Sequence, residues 1–180
     1  MPAHYVDNQK FLEELINYKR EREIAIENDE ESPMCPEYIG ECFLKIATRL
    51  SYRPNFINYA FREDMICDGI ENCVQYMNNF NPEKSKNPFA YFTQIIYYAF
   101  VRKIQKEKKQ LYIKFKSIDS NASLADNIEI GEHDTNQNYV FETMTQDQKA
   151  NMYDFISNFE NSKKKKKTVT KKTALEYFMT

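Results

Sequence analysis

Glycine and proline are scarce in this 180-residue chain, which contains three glycines and six prolines. Most segments also lack the alternation of polar and apolar residues that is typical of strands. Together these absences argue against a fold built from strands and tight turns and favour helices. Hydrophobic residues make up 42% of the chain, enough for one core. We therefore expect a single all-α domain with extended ends.

The chain has few residues that could build a metal site or a disulfide framework. Its four cysteines are irregularly spaced, with no C-x-x-C pair, and its two histidines lie far from them; these residues are Cys35, Cys42, Cys67, Cys73, His4 and His133. Buried free thiols in a reducing cytoplasm are the better interpretation. We expect no bound metal.

Signals of catalysis are missing as well. The sequence has no glycine-rich phosphate loop, no nucleophile arrangement that includes histidine and no metal-ligand cluster. We therefore expect a protein that is not an enzyme and holds no cofactor. A nuclease would bind divalent metal and cut DNA, and we expect neither.

Long apolar runs are absent too. None approaches the roughly 20 residues that cross a bilayer, and the opening MPAHYVDNQK lacks the apolar core of a signal peptide. We expect a soluble intracellular protein without a membrane partner.

The chain does contain separate blocks of opposite charge. Residues 82–116 hold nine basic and two acidic residues, a net charge of +7, whereas residues 126–160 carry a net charge of −7. The overall charge of −2 conceals this separation. The basic block predicts a surface that binds a polyanion. The acidic block predicts a surface that binds a different kind of partner or acts by electrostatic repulsion.

Helical spacing of apolar residues predicts five helices, over residues 8–23, 37–53, 62–80, 88–109 and 138–160. Asn87 and Pro88 form a strong helix start, an N-cap residue followed by proline at the first helical position. Residues 117–137 are polar and predict a loop. The lysine-rich residues 161–173 predict a flexible linker before an apolar end, ALEYFMT.

The helix predicted at 88–109 has two distinct faces. One is an ordinary core stripe of Phe89, Phe92, Ile96, Ala99 and Phe100. The opposite stripe, here called the tyrosine face, consists of Tyr91, Gln94, Ile95, Tyr98, Val101, Arg102 and Gln105. Such rings, amides and a guanidinium can stack on unpaired bases and hold phosphates, with nearby lysines adding affinity for the DNA backbone. The alternative is that the tyrosines are surface rings or contacts to a neighbouring helix.

Residues 44–110 resemble region 2 of bacterial RNA polymerase sigma factors. The resemblance lies in the order of D-M-I-C-D-G (64–69), Asn79-Phe80, a basic loop with Lys84 and Lys86, and A-Y-F-T (90–93). The chain is more similar still to the late-transcription sigma factors of T-even-like bacteriophages. NQKFLEELINYK, DGIE, the K-N-P-x-A-Y-x-T-Q pattern and the apolar tail carry this similarity, which is weakest over residues 117–170.

This resemblance implies a compact, sigma region 2-like helical domain that docks on the clamp helices of the largest subunit of bacterial core RNA polymerase. The docking set, here called the acidic face, would be Asp64, Cys67, Asp68, Glu71 and Asn72. The alternative is an ordinary solvated helix face, with Gly69 permitting close helix packing. Acidic side chains would meet a basic partner helix and set its orientation.

The resemblance also implies recognition and melting of a −10-like, A·T-rich promoter element. Tyr91 would stack on a flipped adenine, with Phe80 and Lys84 around it, and Tyr98, Val101 and Arg102 would face the upstream duplex. The full DNA-binding set is Phe80, Lys84, Lys86, Tyr91, Gln94, Ile95, Tyr98, Val101, Arg102, Gln105 and Lys106. Primary sigma factors carry paired tryptophans where Gln94 and Ile95 stand, so melting would depend more on polymerase or on a late coactivator.

The resemblance further implies that the tail binds the phage sliding clamp, through Leu175, Glu176, Tyr177, Phe178 and Met179. The alternative is a frayed end. No helix-turn-helix for a −35 element is recognisable, so we expect a single short promoter box and a site of action in the cytoplasm of an infected bacterium. The expected segments are 1–36 (amphipathic helix and acidic loop), 37–116 (sigma-like core), 117–160 (polar, acidic), 161–173 (linker) and 174–180 (clamp peptide).

Two other functions are compatible with the sequence. One is a stand-alone DNA-binding regulator, which would need no polymerase; the negative total charge argues against strong independent DNA binding. The other is a polymerase-binding adapter that never contacts DNA, which would leave the tyrosine face without a role.

Overall fold

The computed structural model describes residues 5–125 and 141–177, with side chains described for 5–120 and 141–164. Within these residues the fold is all-α, as the sequence predicts, and no strand is present. The helices are α1 (Asn8–Glu27), α2 (Glu37–Ser51), α3 (Arg62–Tyr76), α4 (Pro88–Ala125) and α5 (Gln146–Tyr177), with a 3₁₀ turn at Met77–Asn79. In the parts of the chain that the structure describes, no helix is long and apolar enough to cross a membrane.

The chain divides into two compact units, Met1–Gln105 and Lys106–Thr180. The N-terminal helix, expected as part of a separate segment, belongs to the same unit as most of the predicted sigma-like core. Residues 106–116, assigned by sequence to that core, fall in the second unit.

The first unit is organised around a cluster of phenylalanine rings contributed by three helices. Phe11 of α1, Phe43 of α2 and Phe92 of α4 are fully buried, and their ring centroids lie 4.7–5.9 Å apart. Burying such rings supplies much of the stabilisation of a small domain. These contacts explain why α1 packs onto the core instead of standing apart.

Helix α4 starts as the sequence predicts. Asn87 Oδ1 accepts a hydrogen bond from the Ala90 backbone N–H at 3.1 Å, and Pro88 is the first helical residue. A second tie comes from Asn8, whose Oδ1 accepts the Phe89 N–H at 3.1 Å. The first turn of α4 is thereby fixed against the start of α1.

Helix α4 is longer than predicted: it continues past Lys109 to Ala125, where the sequence indicated a loop. No glycine or proline interrupts this stretch. Within the second unit, Tyr112 stacks on Phe159 at 4.5 Å and Phe115 meets Phe155 at 5.6 Å. These contacts to α5 stabilise helix where local sequence alone favours a turn.

Helix α5 begins in a capping box. Thr145 Oγ1 accepts the Gln148 N–H at 3.3 Å, and the Gln148 side chain accepts the Thr145 N–H at 2.9 Å. The helix continues through residues 161–173, for which the sequence predicts a flexible linker. Lysine is a good helix former and this stretch has no glycine or proline, so helix can extend through it.

Candidate nucleic-acid interface

The two faces predicted for the beginning of α4 are both present. Phe92, Ile96, Ala99 and Phe100 are buried and Phe89 is half-buried, as a core stripe requires. On the tyrosine face, Gln94, Tyr98, Arg102 and Gln105 are exposed and Tyr91, Ile95 and Val101 are half-buried. Tyr98 is the most open ring, at 52% exposure. The face is thus accessible to a ligand along three turns of helix.

Tyr91 is held by aromatic rings beneath it. Its ring centroid lies 5.2 Å from that of Phe80 and 5.1 Å from that of Phe92. Burial raises the pKa of the Tyr91 hydroxyl, and Cys73 adds to the rise, so this hydroxyl stays neutral at physiological pH. Because Tyr91 packs on Phe80 and Phe92 but is only half-buried, its ring is held in place while part of its surface stays open to solvent.

The prediction that Phe80 contacts DNA is wrong for this conformation, because its side chain is buried. It is only 1% exposed and lies in the core beneath Tyr91. A buried ring cannot stack on a base in this conformation. Phe80 supports Tyr91 and does not itself face solvent.

The basic loop before α4 is well ordered by its own hydrogen bonds. The Asn81 carbonyl accepts the N–H groups of Lys84 and Ser85, at 3.2 and 3.1 Å, and Asn81 Oδ1 accepts the Glu83 N–H at 2.8 Å. Lys84 and Lys86 are exposed on this loop. Their ammonium groups are available to phosphates. Lys106, also exposed, is in the second unit.

The acidic face lies on α3. Asp64, Cys67 and Glu71 are exposed, whereas Asp68 and Asn72 are half-buried. Helix α3 packs on α4 at Gly69, where an added Cβ would lie 3.0 Å from Phe100 Cε1 and 3.1 Å from Ile96 Cγ2. Gly69 therefore permits close helix packing, as one of the two sequence interpretations held.

Polar contacts join the acidic face to α4. Lys103 Nζ lies 3.6 Å from Asp64 Oδ2 and 3.9 Å from Asp68 Oδ2, and its side chain is only 14% exposed. Arg102 Nη2 donates to Asn72 Oδ1 at 2.6 Å. Lys103 is one of the lysines beside the tyrosine face that were expected to add affinity for the DNA backbone, and Asn72 was expected to contact polymerase. The structure turns both side chains toward the α3–α4 seam.

A cationic pocket on α2 was not found by sequence reasoning. Tyr5, Arg49, Tyr52 and Arg53 are among the residues that line a cavity of about 750 Å³. The Arg49 guanidinium lies 5.0 Å from the centroid of the Tyr5 ring. Burial raises the pKa of the Tyr5 hydroxyl, and the charges of Arg49 and Arg53 oppose that rise. Guanidinium groups beside rings suit phosphates and carboxylates.

A signal for this pocket was present in the sequence. Lys45 and Arg49 stand four residues apart and so share one side of α2, and Arg53 follows four residues later, just beyond the end of the helix. The missing part was Tyr5, far away in sequence, which only the fold brings to them.

The side chains of the proposed clamp peptide all lie outside what the structure describes. Helix α5 reaches Tyr177, but the side chains of Leu175, Glu176 and Tyr177 are not described, and Phe178 and Met179 lie beyond the described range. Within the part of the chain that is described, no group of three or more His, Cys, Asp or Glu side chains could hold a metal ion. All four cysteines are free thiols; Cys42 and Cys73 are buried as expected, whereas Cys35 is half-buried and Cys67 is exposed.

No protein-family model matches this chain, and no curated protein matches its sequence.

Proposed function

We propose that this protein is a phage-type sigma subunit. It binds bacterial core RNA polymerase through the acidic face and directs initiation at a −10-like, A·T-rich promoter element through the tyrosine face. It performs no catalysis of its own and uses no cofactor. The polymerase carries out RNA synthesis, and this chain chooses where it starts.

The observation that supports this proposal most strongly is the placement of two unlike surfaces on neighbouring helices of one unit. α3 presents exposed carboxylates, and α4 presents exposed and half-exposed rings with an arginine. Carboxylates repel DNA but complement a basic protein helix. The tyrosine face suits unpaired bases and phosphates. One unit can therefore hold a protein with one helix and DNA with the next.

The role of Tyr91 follows from its support. Flipping a base out of a duplex costs a few kcal/mol, and stacking it on an aromatic ring returns on the order of 1–3 kcal/mol. A ring already packed on Phe80 and Phe92 loses little freedom when a base stacks on it. A·T-rich steps are easier to open and deform, which keeps the cost low. Tyr91 is thus the residue we assign to base capture.

The rest of the tyrosine face suits the duplex upstream of that base. Tyr98 and Arg102 lie two and three turns further along α4 and are exposed. Gln94 and Ile95 provide no large ring that could act as a wedge at the edge of the melted region. We therefore assign melting in part to polymerase or to a late coactivator.

The third part of the proposal concerns the C-terminal peptide, residues 174–180, and rests on sequence. Large apolar residues beside a glutamate suit a pocket on a sliding clamp. A flexible segment of about 13 residues would reach on the order of 20 Å, and a helical one about the same. Such a tether would raise the local concentration of polymerase at clamp-loaded DNA.

The test is run-off transcription with bacterial core polymerase on an A·T-rich promoter that lacks a −35 element. We expect wild type to start at one defined site and Tyr91→Ala to lose that start. Tyr76→Ala is the matched control, because Tyr76 is an exposed tyrosine of the same unit outside both faces. A chain truncated after Lys172 should lose only the stimulation by a loaded clamp.

The rival functions give different results in this assay and in a direct measurement of DNA binding. A stand-alone regulator would bind promoter DNA tightly without polymerase. An adapter would bind polymerase but give no specific start, even with the cognate clamp and coactivator present. The second result would overturn the sigma proposal.

A further inference from the structure

We propose that Asn72 is a positioning residue for Arg102, and not a contact to polymerase. This inference rests on the proposed function, since it concerns how the tyrosine face holds its only arginine. It reassigns a residue that the sequence resemblance placed on the acidic face.

Both polar atoms of the Asn72 side-chain amide form hydrogen bonds, and these bonds fix its orientation. Its Nδ2 donates to the backbone carbonyl of Asp68 at 2.6 Å, and its Oδ1 accepts from Arg102 Nη2 at 2.6 Å. The first bond fixes which way the amide points, because a donor nitrogen facing the carbonyl leaves the oxygen facing α4. A side chain held in this way is not free to turn outward to a partner.

Arg102 gains a preferred position from this contact. An exposed arginine has many rotamers, and ordering it only when a ligand arrives weakens binding. The hydrogen bond to Asn72 uses one donor of a guanidinium that has five N–H groups. The remaining donors stay available for a phosphate or a base edge.

The neighbouring Lys103 contacts the same helix in a different way. Its ammonium is shared between Asp64 and Asp68 and its side chain is 14% exposed, so it closes the seam between α3 and α4. Arg102, in contrast, remains exposed. Two consecutive basic residues of α4 are therefore held by α3, and only Arg102 is presented to solvent.

The first experiment measures the Arg102 guanidinium in the free, full-length protein by ¹⁵N NMR. We expect its N–H signals to show restricted rotation and slow exchange in wild type, and to lose both in Asn72→Ala. Asn72→Asp keeps an acceptor oxygen and should keep the restriction. Gln75→Ala, an exposed position on α3 outside both faces, is the control and should change nothing. Restricted rotation that survives Asn72→Ala would overturn the inference.

The second experiment measures two affinities of the same variants: free chain for core polymerase, and holoenzyme for promoter DNA. Asn72→Ala should weaken promoter binding by about tenfold, the effect of losing one ordered arginine contact, with polymerase affinity changed less than about twofold. In an Arg102→Met background, Asn72→Ala should have no further effect on promoter binding. That dependence separates positioning from a general loss of structure.

Three results would contradict the inference. A large loss of polymerase affinity in Asn72→Ala would return Asn72 to the docking set. An equal loss of promoter binding with and without Arg102 would mean that Asn72 acts through the fold. If wild-type holoenzyme shows no promoter preference while NMR shows Arg102 held, the proposed function has failed and the DNA role of Asn72 falls with it. The NMR result therefore tells the two failures apart.

Discussion

Gly69 and Phe100 lie so close that a Cβ added to the glycine would sit 3.0 Å from Cε1 of the phenylalanine ring. Phe100 and Ile96 are both fully buried, so neither can move aside easily. This contact sets how near α3 and α4 approach, and hence how the acidic and tyrosine faces stand relative to each other.

Gly69→Ala is expected to destabilise the protein, by about 1–2 kcal/mol, because overpacking of the core outweighs the better helix propensity of alanine. Gly40→Ala is the matched control. It also lies inside a helix, but nothing stands within 4 Å of its added Cβ. That variant should be stabilised by up to about 1 kcal/mol. Thermal and urea unfolding would measure both, and equal shifts would contradict the packing argument.

Tyr91→Leu is expected to weaken binding of holoenzyme to a fork DNA with an unpaired adenine by about tenfold or more, since a stacking ring is lost. Tyr91→Phe keeps the ring and its contacts with Phe80 and should bind like wild type. The difference between the two variants should vanish on DNA with an abasic site at that position. A tyrosine-specific effect on abasic DNA would argue against stacking.

Glu71→Lys should lower affinity for core polymerase by about tenfold, by placing a positive charge against a basic partner helix. Glu71 is exposed, so the fold should not change. The same charge change at Glu21, exposed on α1, is the control and should have little effect. Equilibrium binding at several salt concentrations would test this, because the effect of Glu71→Lys should shrink as salt rises.

Thiol labelling should distinguish the cysteines. Cys67 is exposed, and its thiol should react promptly in the native protein. Cys73 is fully buried, and burial raises its pKa to about 12, so it should react only when the protein unfolds. Mass spectrometry of the labelled native chain would show this. Prompt labelling of Cys73 would mean that the contact between α3 and α4 opens readily.

Burial of the Cys73 thiol should also make the protein less stable at high pH. Its pKa is about 12 when folded, against the ordinary 9.0, so the folded state keeps a proton that the unfolded state releases. Its contribution is therefore fully present below pH 9 and is lost as pH rises from 9 toward 12. Cys73→Ser would remove this dependence. Urea unfolding across this range, compared between wild type and the variant, would measure it.

Local pattern was enough to predict where the first four helices begin and which residues of α4 are buried. Asn87 and Pro88 define a helix start through backbone chemistry alone, and Phe92, Ile96 and Phe100 recur at helical spacing. The end of α4 was predicted wrongly. Its continuation to Ala125 is stabilised by Tyr112 and Phe115, which meet rings of α5 that lie 47 and 40 positions further along the sequence.

The sequence by itself thus determined the all-α class, the amphipathic faces and the residue types available to bind a base or a basic partner. Propensity and periodicity act over a few neighbouring residues, which is why a sequence displays them. Only the tertiary structure decided that Phe80 supports Tyr91 from the core, that Asn72 turns toward Arg102, and that Tyr5 joins Arg49 and Arg53. Each of these facts depends on residues brought together from distant positions, and the packing of the helices, not the local pattern, selects which ones meet.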